Sequence, residues 1–263
     1  MLALHNRKAV ITGAASGIGA ATARLLRSQG AYVIGIDHRE VADADLFLQV
    51  DLQKPASIDA AIAQVDTGVE ILCNIAGVSG NSAAQLVLDV NFVGLRHLTE
   101  ALLPKLQSGA SIVNLASVAG QGWRTRWAET RALASTPDAA AAQSWLAAHP
   151  DWQNDAYRFS KEAVIVWTAL RGVELKASHG IRMNAVSPGP VETRLLAEFR
   201  ATLAPGQVQD SIARGGGRAG RPEEIAAAVA FLASDASAWI NGENITVDGG
   251  VSMSRLVEKE SLS

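Results

Sequence analysis

Short apolar runs alternate along the chain with longer segments whose apolar positions recur at helical spacing. The apolar runs are residues 8–12, 31–36, 46–50, 70–73, 110–115, 181–187 and 244–247. The helical segments between and after them include residues 20–29, 56–65, 86–106, 157–178 and 222–233. Strands that alternate with helices in this way predict an α/β fold with a doubly wound, parallel sheet of about seven strands.

Length and composition fit one globular domain. The 263 residues are 48% hydrophobic, which predicts a single domain over residues 1–253 and a polar C-terminal tail over residues 254–263. A net charge of −3 provides no basic surface for nucleic acid or an anionic membrane. The N-terminal residues lack the uninterrupted apolar stretch of a signal peptide, and no run reaches the roughly 20 apolar residues of a membrane helix. We therefore expect a cytoplasmic protein with no nucleic-acid or membrane partner.

Few residues suggest metal or thiol chemistry. The single cysteine, Cys73, lies in an apolar run, where a small core residue is a better interpretation than a catalytic thiol. The five histidines show no spacing typical of metal ligands. The sequence therefore predicts no metal site.

A glycine-rich loop follows the first predicted strand and opens the first predicted helix. Glycines let a backbone turn tightly and approach a phosphate, and a helix N-terminus supplies free N–H groups and a partial positive charge. A plain glycine-rich turn is the alternative, because the spacing G-x-x-x-G-x-G differs from the general fingerprint. The strand–loop–helix order favours a Rossmann-type dinucleotide site. Its expected cofactor-binding residues are Gly13, Ser16, Gly17, Ile18 and Gly19.

Acidic residues follow the second and third predicted strands. Asp37 comes eighteen residues after Gly19, and a carboxylate there accepts hydrogen bonds from the adenosine ribose and repels a 2′-phosphate. We therefore expect NAD in preference to NADP, and Arg39 is the one feature that would soften this exclusion. We also place Asp51 and Leu52 among the cofactor-binding residues, although Asp51 suits a cap or turn equally well.

Tyr157 and Lys161 are the leading candidates for catalysis. They open an apolar helix, and residues four apart share a helix face, so the phenol and the ammonium can point into the same space. A free tyrosine has a pKa of about 10, and a nearby cation favours the phenolate, so we expect Lys161 to lower the pKa of Tyr157. Taken alone, such a spacing is more often an accident of an ordinary surface helix.

Two further polar residues stand in unusual places. Ser117 ends the fifth predicted strand, where ligands bind in open α/β sheets, although a turn serine is the commoner role. Asn91 lies inside a predicted helix close to Gly94, and both residue types need a local reason there.

Residues 192–221 combine a short helical pattern with a glycine run, which is typical of a lid over a pocket.

Together these motifs resemble the short-chain dehydrogenase/reductase family over essentially the whole chain. The loop from Thr12 to Gly19 matches its cofactor loop, and Asn74-Ile-Ala-Gly77 matches its Asn-Asn-Ala-Gly element with one substitution. The segment from Pro188 to Thr193 resembles its nicotinamide-contacting turn. Four residues occur in the order of its catalytic tetrad: Asn91, Ser117, Tyr157 and Lys161. Several matches in a fixed order are more specific than any one motif.

The resemblance implies a role for each tetrad residue. Tyr157 exchanges a proton with the substrate oxygen, Ser117 hydrogen-bonds that oxygen, and Lys161 lowers the pKa of the tyrosine and holds the nicotinamide ribose. Asn91 belongs, on the same basis, to a water-linked proton path that ends at Lys161. The remaining cofactor contacts that the resemblance implies are Asn74, Ala76, Gly77, Tyr157, Lys161, Pro188, Gly189, Val191 and Thr193.

An extra segment separates Ser117 from Tyr157, which lie 40 residues apart, farther than in most members of the family. This segment, about residues 122–155 and called the insertion below, resembles the subgroup of coniferyl-alcohol dehydrogenases and bacterial 3α-hydroxysteroid dehydrogenase/carbonyl reductases. It contains alanine-rich helical runs and four of the six tryptophans, which wall the substrate pocket, make a subunit contact or pack in the core. On the first interpretation the pocket residues are Ser117, Val118, Trp123, Trp152 and Pro190.

The resemblance therefore implies an NAD-dependent oxidoreductase that interconverts an alcohol and its aldehyde or ketone by hydride transfer. The subgroup implies an aromatic allylic alcohol of the coniferyl type, with a 3-hydroxysteroid as the alternative substrate. A non-catalytic NAD-binding sensor is the alternative of another class, and the presence of Ser117, Tyr157 and Lys161 argues against it. We also expect a homo-oligomer, with a dimer favoured over a tetramer.

Overall fold

A parallel sheet of seven strands forms the centre of the molecule. The structure, a computed structural model, describes residues 4–202 and 204–261. The strands are β1 Lys8–Thr12, β2 Tyr32–Asp37, β3 Leu46–Gln49, β4 Val69–Asn74, β5 Leu106–Leu115, β6 Arg182–Pro188 and β7 Asn244–Val247. Their order is β3-β2-β1-β4-β5-β6-β7, so the strand order reverses between β1 and β4. Ligands bind at such a reversal in open α/β sheets.

Helices cover both faces of this sheet. They are α1 Gly17–Ser28, α2 Pro55–Ala63, α3 Ala84–Leu88, α4 Leu95–Leu102, α5 Trp127–Ala134, α6 Ala139–Ala148, α7 Ala156–His179, α8 Arg194–Thr202, α9 Gln207–Arg214, α10 Pro222–Ala233 and α11 Val251–Ser261. Neighbouring residues of a strand point to opposite faces, and Leu72 packs with α2, α4 and α7 while Ile71 packs with α1 and α10. The predicted single-domain, doubly wound α/β fold is confirmed.

Local signals placed several element boundaries correctly. Gly30 follows α1 with φ +87°, a conformation that favours glycine after a helix, and Pro222 begins α10. Cys73 is a free, fully buried residue of β4, and burial raises the pKa of its thiol to about 12. This placement agrees with a core residue.

The predicted helix over residues 86–106 is broken into several pieces. A π-helical turn, Asp89–Gly94, separates α3 from α4, and a 3-10 turn, Leu103–Lys105, leads into β5. The side chain of Asn91 hydrogen-bonds both backbone groups of Val78, which is the local reason for a polar residue inside this helical stretch.

The C-terminal residues also differ from the prediction of a polar tail. Helix α11 runs through residues 251–261, so the predicted boundary at residue 253 falls inside a helix. An ion pair of 2.7 Å between Arg214 and Glu258 fastens α11 to α9. The last two residues of the predicted tail, 262 and 263, lie outside the described residues. Over the described ranges, no helix has the length and apolar character needed to span a membrane.

Candidate active site

A cleft of about 520 Å³ opens at the carboxyl ends of β1, β2 and β4. It lies where the strand order reverses, as expected for a ligand site in this fold. The predicted cofactor-binding residues that line it are Gly13, Ser16, Gly17, Ile18, Gly19, Asp37, Asp51, Leu52, Ala76, Gly77 and Thr193. The structure therefore brings together residues that are far apart in the chain.

The glycine loop is packed too tightly for side chains. Gly13 has φ +70°, and a Cβ atom there would lie 2.8 Å from the backbone of Ala76. A Cβ at Gly19 would collide with the carbonyl oxygen of Gly13. Helix α1 begins at Gly17 and directs its free N–H groups towards the cleft. This cradle fits a pyrophosphate, which needs close backbone approach and a helix N-terminus.

Asp37 joins the end of β2 to the glycine loop. It is 8% exposed, and its carboxylate accepts hydrogen bonds from the backbone N–H groups of Ala15 at 3.0 Å and Arg39 at 3.1 Å. The guanidinium of Arg39 donates to the Ser16 hydroxyl at 2.9 Å. A carboxylate and a guanidinium thus lie at the same corner of the cleft, the part that faces the adenosine ribose in this fold.

Asp51 lines the cleft and also forms a turn. It accepts the backbone N–H of Gln53 at 3.0 Å and pairs with Lys54 at 3.0 Å. The hydrogen bond with Lys54 is the main reason that the pKa of Asp51 lies below its usual value. The turn role left open by the sequence is therefore present, and the contact of Asp51 with a cofactor stays a prediction.

Three residues of the predicted tetrad meet at the edge of this cleft. The phenol of Tyr157 shares a hydrogen bond with the side chain of Ser117. The ammonium of Lys161 donates to the carbonyl of Leu115 at 2.9 Å and lies 5.8 Å from the Tyr157 ring centroid. Leu115 also lines the cleft, so the phenol, the hydroxyl and the ammonium lie at one end of the cleft.

The pKa of Tyr157 moves in the direction opposite to the one predicted. Burial raises the pKa of Tyr157 to about 12, and the hydrogen bond with Ser117 only partly offsets this rise. Burial also lowers the pKa of Lys161 to about 8. Removing a group from water disfavours its charged form, so in this structure desolvation outweighs the attraction between phenolate and ammonium that the spacing predicted.

Asn91 connects the loop after β4 to α7. Its Oδ1 accepts the N–H of Val78 at 2.8 Å, and its Nδ2 donates to the carbonyl of Val78 at 3.0 Å and to Ser160 at 3.3 Å. A Cβ at Gly77 would lie 3.1 Å from Asn91 Oδ1 and 3.6 Å from Lys161 Nζ. Asn91 and Lys161 therefore flank Gly77, and the proton path between them stays a prediction.

Some predicted cofactor residues lie behind the cleft. Asn74 is buried and donates to Thr99 and Asn114, both at 2.9 Å, within a polar network of the core. Pro188 ends β6, the N–H of Gly189 donates to β7, and Val191 pairs with residue 220. These residues hold the turn that brings Thr193 to the cleft.

The predicted substrate-pocket residues are more scattered. Trp152 is 3% exposed, and its indole N–H donates to the carbonyl of Leu146, so it packs in the core. Trp145 is half-buried; it packs against the core and stacks on Phe159 with ring centroids 6.2 Å apart. Trp123 packs against Trp127 at 5.8 Å. Of the predicted pocket residues, Ser117 faces Tyr157. The other four do not line the cleft: Val118, Trp123, Trp152 and Pro190.

Several residues of the site were not anticipated. Phe199 of α8 packs edge-on against the ring of Tyr157 at 5.0 Å, and the neighbouring Glu198 accepts the hydroxyl of Ser79 at 2.5 Å. Thr12 Oγ1 accepts the N–H groups of Ile75 and Ala76. The glycine-containing lid pattern located the region of α8, but no local signal pairs Phe199 with Tyr157.

No group of three or more His, Cys, Asp or Glu side chains is placed to hold a metal ion within residues 4–202 and 204–261.

Two family models together match most of the chain. The model described as short chain dehydrogenase matches residues 7–129, and the one described as Enoyl-(Acyl carrier protein) reductase matches residues 140–252. A coniferyl-alcohol dehydrogenase from a Pseudomonas species is 44% identical over 252 residues, which cover 94% of this chain and 97% of that protein. The chain belongs to the short-chain dehydrogenase family.

This short-chain dehydrogenase is also similar to hydroxysteroid enzymes. A 3-alpha-hydroxysteroid dehydrogenase/carbonyl reductase from Comamonas testosteroni is 32% identical over 250 residues, covering 92% of this chain and 95% of that protein. The crystal structure of a 3-alpha-hydroxysteroid dehydrogenase from a Pseudomonas species, complexed with NADH, matches with a TM-score of 0.78 and 33% identity, covering 96% and 99% of the two chains. The predicted family, its subgroup and the oxidoreductase class are confirmed.

Proposed function

We propose that this short-chain dehydrogenase uses NAD to interconvert an alcohol and its aldehyde or ketone, and that the alcohol is aromatic and allylic, of the coniferyl type. The chemistry rests on one observation: Tyr157 is hydrogen-bonded to Ser117, beside Lys161, at the end of the glycine-lined cleft. The substrate class rests on the 44% identity to a coniferyl-alcohol dehydrogenase.

The residues of the cleft fit a nicotinamide dinucleotide. The glycine loop and the start of α1 would hold the pyrophosphate, Asp37 the adenosine ribose, and Lys161 with the turn at Thr193 the nicotinamide end. A bound nicotinamide supplies the hydride acceptor or donor. The preference for NAD rests on the buried carboxylate of Asp37, which would repel a 2′-phosphate, while Arg39 at the same corner opposes that repulsion.

Tyr157 is the proton-transfer group in this proposal. Its pKa of about 12 keeps the phenol protonated in the structure, which suits donation to a carbonyl oxygen during reduction. In oxidation Tyr157 must first lose its proton, and the phenolate then accepts the proton of the alcohol; a protonated Lys161 favours that step by stabilising the phenolate. Ser117 holds the substrate oxygen where charge develops. Phe199 packs edge-on against the Tyr157 ring at 5.0 Å.

A panel of alcohols tests the substrate and the cofactor together. NADH or NADPH formation is followed by absorbance with cinnamyl-type alcohols, 3-hydroxysteroids and simple aliphatic alcohols, each with NAD and with NADP. We expect the highest kcat/KM for a cinnamyl-type alcohol with NAD. A preference for NADP would contradict the role given to Asp37.

The second candidate function keeps the mechanism and changes the substrate to a 3-hydroxysteroid. The similarity to the NADH-complexed 3-alpha-hydroxysteroid dehydrogenase, over 96% of this chain, favours it. Turnover of steroids alone in the panel would establish this alternative. Binding of NADH without turnover of any alcohol would favour the non-catalytic sensor.

Replacing Tyr157 with Phe tests the assignment of the proton-transfer group. Because the substitution removes only the hydroxyl, we expect NADH affinity to stay within about twofold and kcat to fall by about a hundredfold or more. NADH binding is measured by fluorescence and kcat with the best alcohol of the panel. A kcat within about tenfold of the parent would refute the assignment.

We further propose a cytoplasmic homodimer. Trp239 is 98% exposed beside the edge strand β7, and an exposed tryptophan is typical of interfaces between proteins. The predicted partners are thus a small alcohol or carbonyl compound and a second copy of the chain.

A further inference from the structure

A buried carboxylate lies next to Lys161 and has no role in the mechanism above. The side chain of Glu162 is 1% exposed, and its Oε2 lies 3.3 Å from Nη1 of Arg126, a residue of the insertion. Burying a carboxylate is unfavourable unless a charged partner compensates for the lost water. The insertion supplies that partner.

Arg126 also contacts a second residue of the catalytic helix. Its guanidinium lies 4.7 Å from the centre of the Phe159 ring, and Trp145 stacks on the same ring with an interplanar angle of 8°. Phe159 and Glu162 are three residues apart and therefore share a face of α7. The insertion thus holds α7 at two points, one on each side of Lys161 in the chain.

The chain between Ser117 and Arg126 is packed against the same part of α7. A Cβ at Gly120 would lie 2.8 Å from the carbonyl carbon of Lys161, and a Cβ at Gly122 would lie 2.8 Å from Glu162 Oε1. The segment therefore has no room to shift towards the helix. Its first residue, Ser117, carries the hydroxyl that meets Tyr157.

We propose that Arg126 and Glu162 are positioning residues, and that their ion pair holds the Ser117 segment and the catalytic helix in the register that brings Ser117 to Tyr157. The inference rests on the proposed function, because Ser117 and Tyr157 must be the reacting pair for their register to matter. Neither positioning residue touches the reacting atoms. A displacement of about 1 Å in a site can lower the rate up to a hundredfold or so.

The pair gives the enzyme an acid-sensitive element. Burial, the largest effect, raises the pKa of Glu162, whereas Arg126 and Arg158 oppose the rise and Asp155 and Glu129 add to it. Lys161, the remaining charged neighbour, directs its ammonium to the carbonyl of Leu115. Glu162 therefore takes up a proton at a higher pH than an exposed glutamate, and the ion pair is lost as the pH falls through that raised pKa.

A double-mutant cycle tests the proposal. Arg126→Gln and Glu162→Gln are each expected to lower kcat about tenfold, with KM and NADH affinity within about twofold, and the double variant is expected to be no slower than the slower single variant. Arg126→Lys keeps the charge and should recover part of kcat. Arg131→Gln, an exposed arginine on α5, is the matched control and should keep the parent kcat. Independent, additive losses would overturn the proposal.

The pH profile supplies a second readout. The parent should lose kcat on the acidic side as Glu162 takes up its proton, and Glu162→Gln, which cannot ionise, should lack that limb. An acidic limb that is identical in the two proteins would overturn the proposal.

An added methyl group at residue 122 tests the same proposal in a protein that keeps both Arg126 and Glu162. Gly122→Ala places a Cβ against Glu162 Oε1, so it should lower kcat in the parent and have no further effect on Glu162→Ala. The same loss in both backgrounds would overturn the proposal, even if one of the glutamine variants does not fold.

Amide hydrogen exchange separates this inference from the proposed function. Glu162→Gln should speed exchange in residues 117–126 and leave β1 and β2 unchanged, whether or not a substrate is known. If the parent turned over no alcohol but Glu162→Gln still exchanged faster in residues 117–126, the proposed function would be refuted and the positioning role would be kept. Unchanged exchange in residues 117–126 would refute the positioning role itself.

Discussion

Lys161 makes the folding stability of this protein depend on alkaline pH. The residue is 4% exposed, and burial lowers its pKa to about 8. An unfolded lysine has a pKa of about 10.4, so between roughly pH 8 and 10 the unfolded chain holds a proton that the folded chain has released. The contribution of Lys161 to the free energy of unfolding therefore rises by about 1.4 kcal/mol per pH unit across that window, and is lost as the pH falls through the folded pKa.

Lys161→Met should abolish that rise. The difference in unfolding free energy between parent and variant, measured with urea at several pH values from roughly 8 to 10, is expected to increase with pH in favour of the parent. The pKa values of Tyr157 and Cys73 are raised to about 12, so these two residues lower the free energy of unfolding as the pH rises. They do so in both the parent and the variant, and their effect cancels in the difference. Lys176→Met, at an exposed position of the same helix, should follow the parent. Parallel curves for parent and Lys161→Met would contradict the prediction.

At the residue scale, the sequence predicted identities better than energies. The sequence placed Gly13, Gly19 and Asp37 together at the cleft because a tight loop and a strand end are local features. The direction in which the pKa of Tyr157 shifts could not be predicted from the sequence. It depends on burial by segments that are distant in the chain, among them Phe199 of α8. Desolvation is a tertiary property, whereas helical spacing is a local one.

Among the elements, the π-helical turn Asp89–Gly94 contacts both α7, through Asn91, and the wall of the cleft. A Cβ at Gly94 would collide with the carbonyl oxygen of Leu52, and Leu52 lines the cleft. A larger residue at Gly94 must therefore move the backbone that forms this wall, because a carbonyl within a tight turn cannot rotate away cheaply.

Gly94→Ala should weaken NADH binding about tenfold and lower Tm by several degrees, since the collision costs about 1–3 kcal/mol. NADH fluorescence and thermal unfolding measure the two effects. Gly220→Ala is the matched control, because its Cβ would meet neighbours only at 3.6 Å or more. If Gly94→Ala kept the NADH affinity and Tm of the parent, the backbone at Leu52 would be able to move without loss of stability, and the prediction would be wrong.

Element boundaries were predictable where a single local signal decides them. Gly30 and Pro222 mark a helix end and a helix start. The break between α3 and α4 depends instead on Asn91 reaching Val78, and α11 depends on ion pairs such as Arg214 with Glu258. From its sequence alone, the polar segment that forms most of α11 is typical of a C-terminal tail, because its ion-pair partners on α9 are not recognisable.

For the whole molecule, topology brings the site together. The cleft combines the ends of β1, β2 and β4 with Thr193 from the turn after β6, and the parallel order places all of these at one edge of the sheet. The insertion was the hardest part to interpret. Its tryptophans fitted a pocket wall, a subunit contact or a core, and the packing of Trp145 and Trp152 favours the core for those two.

A surface near β7 is the best candidate for a subunit contact. Trp239 is 98% exposed and Val173 of α7 is 66% exposed. Asn241 donates to the carbonyl of Gly172 at 3.0 Å, which holds the segment after Trp239 beside Val173. The outer edge of β7 pairs with no other strand of the described chain. An unpaired edge next to exposed apolar side chains favours association with a second copy.

Trp239→Ser should therefore convert the proposed dimer into a monomer at micromolar concentration, because a central tryptophan often contributes 2 kcal/mol or more, roughly, to an interface. Light scattering gives the mass of each protein. Trp127→Ser is the informative control, since Trp127 is 37% exposed on the insertion and would carry the contact if the insertion formed the interface. A dimer that survives Trp239→Ser and dissociates in Trp127→Ser would move the interface to the insertion. A parent that is monomeric at the same concentration would refute the dimer.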